Sequence, residues 1–155
     1  PMPWGGVLAI RVKDGALLSI DFLDAGTGLH APEHPVACQV RDAVHGYLSC
    51  PHQSWPSIVR YPQGSMFQQR VWAAIAAIPV GQTRSYGELA RQLDSSARAV
   101  GRACGDNPWP LLVPCHRVVA ANGLGGFNHD RGDGMLAIKR WLLVHEQGKR
   151  QAELF

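Results

Sequence analysis

The chain has 155 residues, of which 46% are hydrophobic and 17% charged, and its formal net charge is +3. This length and balance are typical of a soluble globular protein with one or two small domains and a real core. They exclude a membrane-spanning protein, because no apolar run approaches the roughly 20 residues that cross a bilayer. The first residues show no basic segment followed by an apolar one, so we expect no signal peptide and a cytoplasmic location.

Cysteine usage favours reduced thiols. The four cysteines form no Cys-x-x-Cys pair, and their spacing is not that of a small disulfide-stapled secreted domain. Two of them, Cys38 and Cys50, lie among several histidines, which raises the alternative of a zinc site. No ligand spacing there matches a known zinc pattern, so we assign no metal.

Charge is unevenly distributed along the chain. Residues 1–65 carry a net charge of −1, whereas residues 66–155 carry +4. A mildly basic second half fits a nucleic-acid partner, although many proteins with neutral partners share it.

Residues 1–62 are predicted to form a small supporting α/β domain. Two alternating apolar runs, Gly6–Lys13 and Ala16–Asp24, flank an Asp-Gly pair, which predicts a β-hairpin. A helix is expected over Val36–Leu48 and a short strand over Ser57–Tyr61. A Pro-Gln-Gly break then marks the domain boundary, and no chemical motif precedes it.

Residues 63–155 are predicted to be mainly helical. Apolar residues recur at helical spacing over Met66–Ile78, and Pro79 ends that helix. Ser85 is followed three residues later by Glu88, a capping box that starts a helix running to about Leu93.

A second short helix is expected from Ala97 to Cys104, capped by Ser95 or Ser96, and a last helix over Met135–Glu146. The two short helices and their tight turn are typical of a helix-turn-helix whose second helix recognises DNA.

That second helix is nearly free of large side chains, while Arg98 and Arg102 stand one turn apart. Its small residues are Ala97, Ala99, Gly101, Ala103 and Gly105. One explanation is close packing against another helix. The other is close approach to DNA, because a minor groove only about 6 Å wide excludes large side chains.

A cysteine stands directly before a histidine in the strand-like run Val113–Val119, and Pro114 places Cys115 at a strand edge or entry. A nearby imidazole can turn a thiol into a nucleophile. Because adjacent side chains of a strand point to opposite faces, His116 would need a bridging water or a local turn to reach the thiol. A buried structural cysteine is the alternative.

The chain resembles the O6-alkylguanine-DNA alkyltransferases over roughly residues 64–148. The matching motifs are Pro114-Cys115-His116-Arg117-Val118, Ser85-Tyr86-Gly87 and Arg98-Ala99-Val100-Gly101, together with Asn107-Pro108 and Glu146. The resemblance implies an α+β protein with an RNase H-like N-terminal domain over 1–62. It implies a helical DNA-binding and alkyl-transfer domain with a helix-turn-helix over 63–155.

The resemblance also implies a catalytic role for four residues. Cys115 would attack the alkyl carbon of O6-alkylguanine, with O4-alkylthymine as a second candidate lesion. His116 would take the thiol proton through water, and Glu146, preferred over its neighbour His145, would orient the imidazole. Tyr86 would crowd the phosphate beside the flipped nucleotide and donate towards the base. The thioether product has no good leaving group, so the protein would act once and need no cofactor.

The implied partner is double-stranded DNA that contains O6-alkylguanine, with no obligate protein partner. The target nucleotide would flip out of the stack, and Arg98 would fill the gap. Asn107 would link the recognition helix to the active-site stretch. The implied DNA-contacting residues are Arg98, Tyr86, Ala97, Ala99, Gly101 and Arg102.

One departure from the family pattern and two alternatives remain. The loop Asn128–Gly134 is longer than in many family members and contains no Ser, so no residue there is assigned to bind O6. One alternative is a non-catalytic helix-turn-helix module that binds damaged DNA. The other is a cysteine hydrolase that uses Cys115, His116 and Glu146.

Overall fold

The computed structural model describes residues 1–52, 55, 62–128 and 133–148, and it combines helices with small β-pairings. The chain divides into two compact units, Pro1–Val59 and Arg60–Phe155. No helix in the described ranges is long and apolar enough to cross a membrane.

The first unit contains a β-hairpin and one helix. Strands β1 (Val7–Lys13) and β2 (Ala16–Leu23) are antiparallel, which confirms the predicted hairpin. Asp14 and Gly15 between them both have positive φ, 51° and 75°, as a type I′ turn requires.

Helix α1 (Pro35–Ser49) follows the hairpin and contacts both strands, as its apolar face predicts. Val40, Val44 and Tyr47 are buried on that face. The strand expected over Ser57–Tyr61 lies outside the described residues. All four cysteines are free thiols, and no three potential metal ligands gather anywhere in the described part of the chain.

The elements of the second unit are α2 (Met66–Ala76), β3 (Arg84–Ser85), α3 (Tyr86–Gln92), α4 (Ala97–Gly105), β4 (Val118–Val119) and α5 (Asp133–Glu146). Its first three helices begin with serine caps. Ser65 caps α2 with a full capping box, the Ser85 hydroxyl accepts the Glu88 N–H at 3.0 Å at the start of α3, and Ser96 rather than Ser95 caps α4.

Two contacts fix the short elements around the Cys-His stretch. Strand β3 pairs in parallel with β4, so the start of α3 is placed beside the residues that follow the Cys-His pair. Helix α4 packs on α3 and on α2, and the indole N–H of Trp72 donates to the Ala103 carbonyl at 2.9 Å. Because both ends of the α3–α4 pair are anchored, its surface residues hold a defined position.

The strand-like reading of Val113–Val119 is wrong over Cys115–Arg117, which form one turn of 3-10 helix. Pro114 has ψ 65°, and its carbonyl accepts the Arg117 N–H at 2.9 Å, so the chain turns before it enters β4. A local turn, which is one of the two alternatives given for bringing His116 to the thiol, is therefore present.

The apolar residues Leu136, Trp141, Leu142 and Leu143 of the last helix predict its core face, and this prediction is only partly right. Leu142 is buried, but Trp141, Leu143 and Leu136 are partly exposed. Besides Val144, the buried positions of α5 are Lys139 and Glu146, which share the face of Leu142 at helical spacing. The hydrophobic pattern misplaced this face because two of its inward positions carry charge.

Candidate active site

The Cys115 thiol is buried, with 5% of the residue exposed. Its Sγ accepts a hydrogen bond from the Asn107 amide at 3.4 Å. Burial raises the pKa of Cys115, while this hydrogen bond and the charge of Lys139 act in the opposite direction. The resting thiol is therefore protonated at neutral pH, and its reactivity depends on a base that removes the proton.

His116 is completely buried and points towards the end of α5. Its Nε2 lies 2.6 Å from Oε1 of Glu146. Burial lowers the pKa of His116 against the opposing effect of Glu146, so the ring is neutral near pH 7. A neutral ring that donates from Nε2 to a carboxylate keeps a lone pair on Nδ1, the nitrogen that a general base needs.

The free nitrogen is visible in the hydrogen-bond pattern. His116 Nδ1 is buried and has no hydrogen-bond partner within the described residues. An unpaired acceptor in such a place is costly, and it is typical of groups retained for chemistry or of sites that hold a water.

Glu146 is held as a carboxylate by two neighbours. Burial alone would raise the pKa of Glu146, but hydrogen bonds from His116 and Arg117 lower it to about 2. The Arg117 guanidinium donates from Nε to Oε2 at 3.0 Å and from Nη2 to Oε1 at 2.9 Å. The pair is therefore bidentate, which fixes the plane of the carboxylate as well as its charge.

The sequence reasoning gave Arg117 no role, although the residue is buried and its third contact is to the Ile78 carbonyl at 2.8 Å. An arginine inside an otherwise apolar run was the available signal, because a buried arginine requires a partner. Lys139, which is buried on the inward face of α5 together with Glu146, was also given no role from the sequence.

Asn107 follows Asp106, the C-cap of α4, and joins this helix to the segment before Cys115. Its amide donates to the Val113 carbonyl at 2.9 Å, and its Oδ1 accepts the Trp109 N–H at 3.0 Å. Together with the contact to Cys115, both the NH2 group and the oxygen of this buried amide are hydrogen-bonded.

An open pocket leads to Cys115 from the surface. Tyr86 from α3 forms part of its wall, and Arg98 and Arg102, both exposed, stand on the α4 side. Of the residues expected to contact DNA, Tyr86, Arg98, Ala97, Gly101 and Arg102 line this pocket, whereas Ala99 does not. His116 and Glu146 are buried and are not among the lining residues.

The glycine loop, residues 123–126, forms another part of the pocket wall and contacts Tyr86. The Tyr86 hydroxyl donates to the Gly126 carbonyl at 3.4 Å. Gly125 has φ +72°, and a Cβ there would lie 2.8 Å from Cε2 of Tyr86. The ring therefore depends on a glycine at this position.

Comparison with known proteins identifies the family. A family model described as the DNA-binding domain of 6-O-methylguanine DNA methyltransferase matches residues 66–148, which include all of the site residues above. The methylated-DNA–protein-cysteine methyltransferase of Mycobacterium tuberculosis strain H37Rv is 48% identical over 95 residues, covering 59% of this chain and 54% of that protein. The chain thus spans about half the length of this curated relative.

Two further similarities cover more of the chain. A probable methylated-DNA–protein-cysteine methyltransferase of Acanthamoeba polyphaga mimivirus is 36% identical over 110 residues, which is 70% of each protein. The crystal structure of Mycobacterium tuberculosis OGT in complex with DNA has a TM-score of 0.75 at 33% identity, covering 95% of this chain and 90% of that one. The fold is similar to that of this relative, which was solved with DNA bound. The chain belongs to the 6-O-methylguanine DNA methyltransferase family.

Proposed function

We propose that the protein repairs O6-alkylguanine in double-stranded DNA by transferring the alkyl group irreversibly to Cys115. The observation that carries this proposal is the buried Cys115 thiol at an open pocket, next in sequence to a buried His116–Glu146 pair whose Nδ1 is free. Membership of the family and the similarity to a DNA-bound relative support the same reaction.

The chemistry is a single displacement. The thiol proton passes through water to Nδ1 of His116, while the anionic Glu146 stabilises the resulting imidazolium. The Sγ of Cys115 forms a bond to the alkyl carbon as the bond from that carbon to O6 breaks. Guanine leaves with the electron pair and gains one proton. Tyr86, at the pocket wall, would donate towards the base.

The same chemistry explains why no turnover is expected. A thioether has no good leaving group, and neither His116 nor Glu146 can hydrolyse it. Each protein molecule would accept one alkyl group and need no cofactor. O4-alkylthymine is a second candidate lesion, because the attack on an alkyl carbon is the same.

Helices α3 and α4 are the proposed helix-turn-helix, with α4 in the minor groove. The exposed side of α4 combines the two arginines with Ala97 and Gly101. Packing inside the chain does not require a glycine at position 101, since an added Cβ would be 3.9 Å from its nearest described neighbour, the Tyr86 ring. Small residues on that side therefore favour close approach of a ligand. Ala99 would assist as a small neighbour outside the pocket.

Base flipping follows from the depth of the thiol. A buried Sγ cannot reach O6 while the base is stacked, so the nucleotide must leave the duplex. Arg98 is exposed at the pocket and is the proposed residue that fills the gap. Asn107 would transmit the position of α4 to Cys115 through its two-ended contacts.

The first unit is proposed to be an RNase H-like supporting domain. Its hairpin followed by a helix agrees with that assignment, and the similarity to the DNA-bound relative covers nearly the whole chain. A cytoplasmic location is likewise proposed, and no obligate protein partner is expected.

The test is mass spectrometry after incubation with a duplex that contains one O6-methylguanine. We expect one methyl group on the peptide with Cys115 and an equal amount of restored guanine. Cys115→Ala should gain no methyl group, and Cys50→Ala, which removes an exposed thiol, should behave as the wild type. Tight binding without methylation would indicate a damage-binding module, and catalytic turnover on another substrate would indicate a hydrolase.

A further inference from the structure

Lys139 is the least expected residue of the site. It is 0% exposed on α5, two turns before Glu146. Its ammonium donates to the carbonyls of Val118 at 2.7 Å, Gly126 at 2.9 Å and Leu124. An ammonium has three protons, so every donor has a backbone acceptor.

These three acceptors belong to two separate segments. Val118 opens β4 and directly follows the 3-10 turn that carries Cys115. Leu124 and Gly126 belong to the glycine loop. One side chain therefore ties the strand after the nucleophile to the loop on the other side of the pocket.

The glycine loop in turn positions Tyr86. The Gly126 carbonyl accepts from both the Lys139 ammonium and the Tyr86 hydroxyl. The ammonium also lies 5.9 Å from the centre of the Tyr86 ring. Displacement of the loop would therefore move Tyr86, since Gly125 already contacts the ring closely.

The charge of Lys139 acts on the nucleophile as well. No carboxylate pairs with it in the described part of the chain. Burial raises the pKa of Cys115 and of Cys104, the second thiol at the pocket, and the positive charge of Lys139 acts against that rise. For His116, the charge of Lys139 adds to the lowering of the pKa that burial causes. Within the described residues, the groups that respond to its charge are these two thiols, the His116 ring and the Tyr86 ring.

We propose that Lys139 is a positioning residue for alkyl transfer, which holds the glycine loop and Tyr86 in place beside Cys115. This inference rests on the proposed function. It requires both the three donors and the positive charge, and a neutral apolar residue of the same length supplies neither.

The proposal predicts an alkaline limit to the reaction. Burial lowers the pKa of Lys139 to about 8, from an ordinary value of 10.5. Above pH 8 the neutral amine has only two protons, so one of the three carbonyls loses its donor. The thiolate also loses a neighbouring positive charge. The free energy of unfolding changes in the other direction from the rate. Above pH 8 the unfolded chain still binds a proton that the folded chain has lost, so the free energy of unfolding rises with pH.

The experiment compares Lys139→Met with Val144→Ala, a buried control on the same helix. Single-turnover kinetics on a duplex with O6-methylguanine give the saturating rate constant and Kd. Iodoacetamide modification of Cys115, followed by peptide mass spectrometry, gives the pH at which the thiolate forms. We expect Lys139→Met to lower the rate constant about tenfold with Kd within about threefold of wild type. The thiolate should form at higher pH, whereas Val144→Ala should lose only stability.

The opposite results are equally clear. If Lys139→Met matches Val144→Ala in both rate constant and thiolate formation, the proposal is wrong.

If Lys139→Met does not fold, the pH dependence of the wild-type rate constant tests the proposal instead. The rate constant should fall from pH 8 to 9 while stability to urea does not fall, and a rate constant that is the same at both pH values would overturn the proposal. If the wild type transfers no methyl group at any pH, the proposed function fails, and the iodoacetamide measurement still tests the effect of Lys139 on Cys115.

Discussion

His116 Nε2 lies 2.6 Å from Glu146 Oε1, and both side chains are completely shielded from solvent. This contact assigns the tautomer, because an ionised carboxylate requires the proton on Nε2 and leaves a lone pair on Nδ1, the nitrogen that we propose as the base. Arg117 reinforces the arrangement by binding both oxygens of the same carboxylate.

Glu146→Gln should slow alkyl transfer about 100-fold, because an amide has no charge to stabilise the imidazolium and can present its NH2 group instead of its oxygen to Nε2. The single-turnover rate constant on an O6-methylguanine duplex measures this. The exposed Glu88→Gln is the control and should leave the rate constant unchanged. An unaltered rate constant in Glu146→Gln would remove this carboxylate from the mechanism.

The same substitution should also destabilise the fold by about 3 kcal/mol, since it leaves the buried Arg117 without its anionic partner. Urea unfolding of wild type and variant at pH 7 measures the difference. Equal midpoints for both proteins would show that Arg117 finds another acceptor.

Acid should destabilise the protein through two groups. The folded pKa of Glu146 is about 2 against an ordinary 4.5, so its contribution is present above pH 4.5 and is lost as pH falls towards 2. Burial lowers the pKa of His116, so below its ordinary value of 6.5 the unfolded chain binds a proton that the folded chain resists. Urea midpoints should therefore decrease from pH 6.5 downwards. A stability that is constant between pH 7 and 3 would contradict both assignments.

Arg98→Ala should reduce repair of a lesion in duplex DNA about tenfold and change the reaction with free O6-benzylguanine by less than about twofold, if that base is accepted. The reason is that a residue that fills the gap in the stack has nothing to fill when the base is free. Arg91→Ala, an exposed arginine near the end of α3, is the matched charge control. Equal losses on both substrates would refute the gap-filling role.

Gly125→Ala should impair the site by displacing Tyr86. The new Cβ would lie 2.8 Å from the ring, and φ +72° is unfavourable for alanine, so we expect a stability loss of about 1–3 kcal/mol. The rate constant should fall with it. The Cβ of Gly134→Ala would meet none of the described residues within 4 Å, so this variant serves as the control. A variant with wild-type rate and stability would show that the ring and loop adapt freely.

The sequence by itself determined the local structure of much of this protein. The Asp-Gly pair specified the hairpin, and serine caps and apolar spacing specified the helices α1 to α4 to within two residues. These features depend on neighbours in the chain, so the residues that decide them are adjacent in the sequence. The motif around Cys115 and its spacing to Glu146 also pointed to the family before any geometry was known.

Only the tertiary structure decided which charges are buried and which atoms they meet. Lys139 and Arg117 are charged residues, and a periodicity argument places such residues at the surface by default. Their acceptors, among them the carbonyls of Ile78 and Val118, are 39 and 21 residues away in the chain. The tautomer of His116 depends in the same way on a carboxylate 30 residues distant. Such partners come together only when β3, β4 and α5 pack around the Cys115 turn, because the desolvation that makes each pairing necessary does not exist before the core forms.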